Sequence, residues 1–351
     1  MKLFIVIIIC LMLCACSVAP PSGTQSARPS AQAGATQLNT STSPSFKQIQ
    51  VENPVAKSGA DPYVIRDGDL YYYCYSTGNA LCVGKTDSLA SLGRVRGKRV
   101  YTPPSGTSYS HEYWAPELHK INGEWYIYVA ADNGSNHTHR MYVLKCNSSD
   151  PMDKYTMLGK ISDRSDKWAI DGTVLEHNGQ MYFIWSGWPG DENVVQNLYI
   201  AKMSDPMTIS SKRVCISVPE YDWERRGGAI NEGPAILKRD GEIYLVYSAS
   251  GSWTDNYCLG LLRLVGDPTS PDGWKKSSSP VFKSTDSIFG PGHCSFTTAA
   301  DGSPYMVYHA NLVSGSGWGG RSVWISPVGF SSRGDLILGA PRKSVKLPVL
   351  E

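Results

Sequence analysis

The chain has 351 residues, 18% of them charged, and a formal net charge of +2. That balance excludes a strongly basic nucleic-acid binder and a chain too charged to bury a core. Aromatics are frequent, with 20 Tyr and 10 Trp, residue types that suit half-buried strands and sugar-binding surfaces.

In chain order, the first element is a processing signal. Lys2 precedes an apolar run from Leu3 to Leu13, and "LCAC" ends at Cys16. A positive start, a short apolar segment and a small residue before the cut describe a secretory signal. The run is too short to span a membrane as a helix. "LCAC" resembles a bacterial lipobox, with Leu13 and Ala15 leading to Cys16 as the lipidated residue. Residues 1–15 are therefore expected to be a lipoprotein signal peptide. Residues 16–47 are expected to be a flexible linker, since Ser17 to Ser45 is rich in small and polar residues and holds one charge, Arg28. The expected location is the bacterial cell envelope, through this lipid anchor alone.

From residue 48 onward one pattern recurs five times. It reads "RDGDLYYYCYS" from Arg66, "INGEWYIYVAA" from Ile121, "HNGQMYFIWSG" from His177, "RDGEIYLVYSA" from Arg239 and "ADGSPYMVYHA" from Ala300. Asp-Gly and Asn-Gly favour tight hairpin turns whose two central residues have positive φ. The turn glycines are Gly68, Gly123, Gly179, Gly241 and Gly302, at spacings of 55, 56, 62 and 61 residues. Such a period marks a repeat architecture. A third strand follows each hairpin, and three units continue into Asp-Pro turns at Asp150, Asp205 and Asp267. Room remains for a fourth strand. The expected fold is all-β: a five-bladed β-propeller with four-stranded blades around a central channel, occupying residues 48–351. Gln48–Val55 and the C-terminal "SVKLPVL" are both candidates to close the ring.

Six cysteines follow Cys16, and none forms a CxxC pair, so a zinc site is not expected. Cys74 and Cys82 flank the turn "STGN". Two readings stand for them: a disulfide across a hairpin, or buried free thiols.

In a propeller the first strand of every blade lines the channel, so the five strand starts converge. Those starts carry Asp61 in "ADPYVI", Trp114 and Glu117 in "YWAPELH", Asp171 in "IDGTVL", Glu232 in "NEGPAIL" and His293 in "GPGHCSF". An acid at a strand end is ordinary. Three of them, Asp61, Asp171 and Glu232, converging on one pocket repel each other, an arrangement that holds one carboxyl protonated while another stays ionised. Two such carboxyls suit glycoside hydrolysis: one protonates the leaving oxygen, and the other attacks the sugar or activates water. Acids from the non-adjacent first and fourth blades favour the wide spacing of inversion.

These five stretches, one per blade and in this order, resemble glycoside hydrolase family 43, a family of inverting five-bladed propellers. The resemblance covers about residues 52–340. It implies Asp61 as the general base, Glu232 as the general acid, and Asp171 as the group that orients the acid and tunes its pKa. It implies Trp114 and Arg321, in "GGRSVW", as contacts of the subsite for the sugar being released, with His293 beside them. His293 also matches a histidine that in relatives helps hold a structural ion, often Ca2+, in the channel through waters. No cofactor enters the chemistry. The stretches "WAPELH" and "YSASGSWTDNYCLGLL" look most like exo-acting α-L-arabinofuranosidases. The implied substrate is an arabinose-containing polysaccharide or oligosaccharide, arabinan or arabinoxylan, and the expected form is a monomer. A β-xylosidase, a β-D-galactofuranosidase and a non-catalytic glycan-binding lipoprotein are the alternatives. Loops at Asp132–Arg140 and Trp188–Gln196 are candidates to close one end of the groove. Trp188 and Trp253 fit either a sugar platform or packing.

Overall fold

The computed structural model describes residues 44–351. The expected signal peptide, lipidated Cys16 and most of the linker lie outside the described residues.

The five repeats form five antiparallel sheets in a ring, a five-bladed β-propeller. The innermost strands are Tyr63–Asp67, His111–Ile121, Ala169–His177, Asn231–Arg239 and Phe289–Thr298. Blades 1, 2 and 4 have four strands, as expected. In blade 3 two short strands, Thr208–Ile209 and Val214–Ser217, pair with the same third strand. Blade 5 has three.

The sheets are packed through their faces, so apolar residues gather between blades rather than in one central core. Five buried clusters mark the five interfaces. Tyr142 and Trp125 lie between blades 1 and 2, for example, and Tyr308 and Trp324 between blades 4 and 5.

Both candidate segments take part in closure. Phe46–Glu52 pairs with Ser344–Leu350 as an antiparallel ribbon, and Val51, Val345 and Leu347 of that ribbon join the cluster between blades 5 and 1. The missing fourth strand of blade 5 is replaced by single contacts. Ala56 bridges Val323 on the third strand, Arg321–Pro327. The Asn53 amide accepts from Ile325 N–H at 3.0 Å and donates to Ile325 O and Arg342 O, each at 2.9 Å. One buried side chain thus satisfies an edge that a strand would otherwise cover.

One local expectation changes, and one open choice is decided. Three hairpins carry positive φ at both turn residues, Asn122-Gly123, Asn178-Gly179 and Asp240-Gly241. The first turn is Gly68-Asp69 with positive φ at Gly68 only, and the fifth is a longer loop between Thr298 and Pro304. Cys74 pairs across the sheet with Val83, and Cys82 with Tyr75, so the two thiols are one residue out of register and point to opposite faces. All six cysteines among the described residues are free.

Asn53→Ala orphans the Ile325 N–H and C=O. It is expected to lower stability by roughly 2–4 kcal/mol, whereas Glu52→Ala at the exposed neighbouring position costs within about 0.5 kcal/mol. Urea unfolding of both variants measures the difference. Equal midpoints would show that the ribbon, not Asn53, closes the ring.

Candidate active site

The inner strands share one distortion at their starts. In blades 2 to 5 the register slips by one residue there: between Trp114 and Glu117, Ile170 and Thr173, Glu232 and Ala235, and Gly292 and Ser295. Each slip contains a residue with left-handed backbone: Ala115 (φ 43°), Asp171 (φ 56°), Gly233 (φ 53°) and His293 (φ 46°). In blade 1 Asp61 (φ 47°) takes the same place just ahead of the strand. Such bulges re-aim side chains, and Asp tolerates the left-handed region better than most residues. Asp61, Asp171 and His293 are therefore structural equivalents. Glu232 stands one residue earlier, in register with Trp114 and Ile170. The acids therefore do not occupy one repeated position.

A second five-fold position holds these starts in place. Seven residues after each turn glycine come Tyr75, Ala130, Ser186, Ser248 and His309. Three of them bond the backbone of the next blade's mouth. Ser186 Oγ donates to Asn231 O at 2.9 Å, Ser248 Oγ accepts from His293 N–H at 2.8 Å, and His309 Nδ1 accepts from Asp61 N–H at 3.2 Å. His309 was not singled out from sequence. Its signal was present: it is an imidazole in a column otherwise filled mostly by Ser and Ala.

The mouths open into a cavity of about 680 Å³ lined by Asp61, Asp171, Glu232, Trp114, His293 and Arg321, among others. All six of the residues expected at the site are thus brought together. Glu117 lies deeper, paired with His119 at 2.7 Å. Asn136 and Asn193–Gln196 also line the cavity, so both loops expected at its end contribute walls. Trp188 is fully buried and stacked on Trp168 at 4.7 Å, which makes it packing; Trp253 is exposed and lines the cavity.

The carboxyls sit in contrasting surroundings. Asp61 Oδ1 lies 3.3 Å from His293 Nδ1, His309 Nδ1 and Arg321 Nη1. Burial works to raise its pKa, but the charges of His293 and Arg321 outweigh burial and hold the carboxyl well below the usual carboxylate range. His309 itself is pushed down to about 4 by burial, so it is neutral near pH 7. Glu232 is buried, and that burial, helped by the charge of Asp61, raises it to about 7 against the pull of Tyr257 and Arg321. Asp171 is also raised, first by burial and then by the charges of Glu232 and Asp61, while its Oδ2 accepts from Gly233 N–H at 3.0 Å. That bond ties Asp171 to the residue next to Glu232.

Tyr257 is a second group that sequence reasoning missed. Its fully buried hydroxyl donates to Glu232 Oε1 at 2.8 Å, and its ring stacks on His309 at 5.5 Å. With Oε1 accepting, the proton of a neutral Glu232 resides on Oε2. Gly292 leaves room for the Tyr257 ring: a Cβ there would lie 2.2 Å from it.

Trp114 is fixed as a wall. It stacks on buried His139 at 4.0 Å, and its Nε1 donates to Glu112 Oε2 at 2.9 Å. His139 Nδ1 in turn lies 3.0 Å from Asp132 Oδ2. His293 Nδ1 faces Asp61, and among the described residues no group of three or more His, Cys, Asp or Glu side chains has the arrangement of a metal site.

Comparison with known proteins agrees with this geometry. The Glycosyl hydrolases family 43 pattern matches residues 51–335. An extracellular exo-α-(1→5)-L-arabinofuranosidase of Streptomyces avermitilis is 36% identical over 279 residues, covering 76% of this chain and 58% of that protein. One of Streptomyces chartreusis with the same name is 35% identical, covering 74% and 82%. The chain thus spans little more than half of the first relative's length. A solved α-L-arabinofuranosidase from Lactobacillus brevis superposes with a TM-score of 0.79 at 34% identity, covering 83% of this chain and 97% of that one. The chain belongs to glycosyl hydrolases family 43.

Proposed function

We propose that this protein is an inverting exo-α-L-arabinofuranosidase that releases terminal arabinofuranosyl residues from arabinan or arabinoxylan-type chains. The observation that carries this reading is the opposed state of two carboxyls in one cavity. Asp61 is held ionised by His293 and Arg321, while Glu232 is raised to about 7. Asp61 accepts a proton from water as that water attacks the anomeric carbon. Glu232 delivers the proton on Oε2 to the departing oxygen. The C–O bond to the leaving sugar breaks as the bond to water forms, so the product has the opposite anomeric configuration. Asp171 keeps Glu232 oriented through Gly233 N–H, while burial and the charge of Asp61 favour the protonated form of Glu232. Trp114 and Arg321 bound the sugar being released.

The substrate reading is supported by the names of the Streptomyces and Lactobacillus relatives. The word extracellular in the Streptomyces names supports export of this chain. With Cys16 as lipid attachment, the enzyme acts at the bacterial envelope. Every reacting group comes from one chain, which fits a monomer, and the reaction uses water and no cofactor.

Glu232→Gln and Asp61→Asn are each expected to lose about 10²–10⁴-fold in kcat/KM on an unactivated arabinoside. A substrate with an acidic phenol leaving group needs no proton, so it should rescue Glu232→Gln and not Asp61→Asn. Steady-state kinetics on an aryl α-L-arabinofuranoside, β-D-xyloside and β-D-galactofuranoside test both role and sugar. Retained turnover in either variant on the unactivated substrate would overturn the assignment.

The pH profile follows from the same two groups. Glu232 must be protonated, so kcat/KM should fall as pH rises through about 7. Asp61 must be ionised, so the acid limb should lie below the ordinary Asp value of about 3.9. Tyr257→Phe removes a bond that favours ionised Glu232 and should move the alkaline limb upward. A limb that stays in place or moves down would separate Tyr257 from the acid.

A further inference from the structure

The rim of the cavity on blades 4 and 5 carries two rings that the two-carboxyl chemistry does not use. Trp253 and Trp318 both line the cavity and are 43% and 57% exposed, whereas Trp188, which only packs, is 1% exposed. Exposed indoles in a cleft cost solvation and point to a ligand. The two rings meet edge to face, with centroids 5.7 Å apart and planes at 78°.

Both rings are held in place. Trp318 Nε1 donates to Ser252 Oγ at 3.0 Å, beside Trp253 in sequence. Asp255 accepts from Gly315 N–H at 3.0 Å, which ties the blade 5 loop to the blade 4 loop. Trp253 rests against glycines: a Cβ on Gly251 would lie 2.8 Å from its ring, and one on Gly228 3.6 Å. The supporting loops also serve the reacting groups. Tyr257, which bonds Glu232, ends the segment that carries Trp253. Arg321, which holds Asp61, donates from Nε to Trp318 O at 3.2 Å.

Position relative to the acid decides which part of a substrate these rings meet. Glu232 protonates the departing oxygen, so the departing group lies on its side of the cavity. Glu232 and Trp253 belong to the same blade.

We propose that Trp253 and Trp318 form a platform for the leaving-side sugar, the ring joined to the departing oxygen. This rests on the glycosidase reading. The ligand is a carbohydrate ring that offers an apolar C–H face to the indoles and hydroxyls to the surrounding water. The platform makes the enzyme select a saccharide leaving group over a small one.

The test compares wild type with Trp253→Ala/Trp318→Ala on α-1,5-linked arabinotriose and on α-L-arabinofuranosyl fluoride, whose leaving group has no ring. The ratio of kcat/KM for trisaccharide over fluoride should fall about tenfold or more. Trp318→Phe, which keeps a ring, should fall less than Trp318→Ala. Equal losses on both substrates would overturn the platform. Calorimetric binding of arabinotriose to Glu232→Gln, with and without the two Trp replacements, gives a second readout. Affinity should fall about tenfold. If wild type turns over neither substrate, the glycosidase reading falls, and the binding readout still decides the platform. Unchanged affinity overturns it, including the case where the replacements alter only self-association in sedimentation and the patch is a protein interface.

Discussion

Asp61 sits at the seam of the ring. It belongs to blade 1, and the three groups that surround its carboxylate, His293, His309 and Arg321, all belong to blade 5. Blades 5 and 1 are also the pair that the chain must join to close the propeller, through the terminal ribbon and Asn53. The charged cluster and the closure therefore share one interface. A part-buried carboxylate with no partner would be costly or would take up a proton. Here the geometry of closure supplies the His293 imidazole and the Arg321 guanidinium that keep it charged, while His309 fixes its backbone N–H. A loosened seam would weaken the fold and the ionised state of Asp61 together.

Glu232 has the opposite surroundings. Glu232 and Asp171 come from adjacent blades 4 and 3 and, among the described residues, have no cation within salt-bridge distance. Burial, helped by the charge of Asp61, pushes protons onto both, and Tyr257 and Gly233 N–H set which oxygen is free. One channel mouth thus provides two electrostatic surroundings about a single sugar. A second cavity of about 430 Å³ shares Asp61, Trp114 and Arg321 with the first, so Asp61 is open to space on two sides. In the proposed reaction, that would leave Asp61 accessible to water while the main cavity holds the sugar.

Much of this was legible because the repeat is regular. The turn glycines located five blades, and counting back from them reached Asp61, Asp171 and His293. Glu232, however, stands one residue ahead of the structural column that holds Asp61, Asp171 and His293. A bulge adds a residue without leaving a mark in composition, and only the left-handed φ of Gly233 reveals it. His309 stood in plain view as a polar residue in the buried strand Pro304–Asn311, and the column it shares with Ser186 and Ser248 was the available signal. Tyr257 had none, since a tyrosine just ahead of the apolar strand Cys258–Leu264 looks like core until its hydroxyl is seen on Glu232. Trp188 and Trp253 were indistinguishable for a related reason: exposure is set by neighbours from other blades. Closure at Asn53 depends on a contact across more than 270 residues, which no local pattern encodes.

The account stands on the protonation states of Asp61 and Glu232 in the folded protein. Carbon-13 NMR titration of labelled carboxyls, assigned with Asp61→Asn and Glu232→Gln, reads both directly. Glu232 should titrate near 7, and Asp61 should remain ionised to the acid limit of the fold. A Glu232 that titrates at the ordinary value of about 4.3, or an Asp61 that takes up a proton before it, would contradict the account.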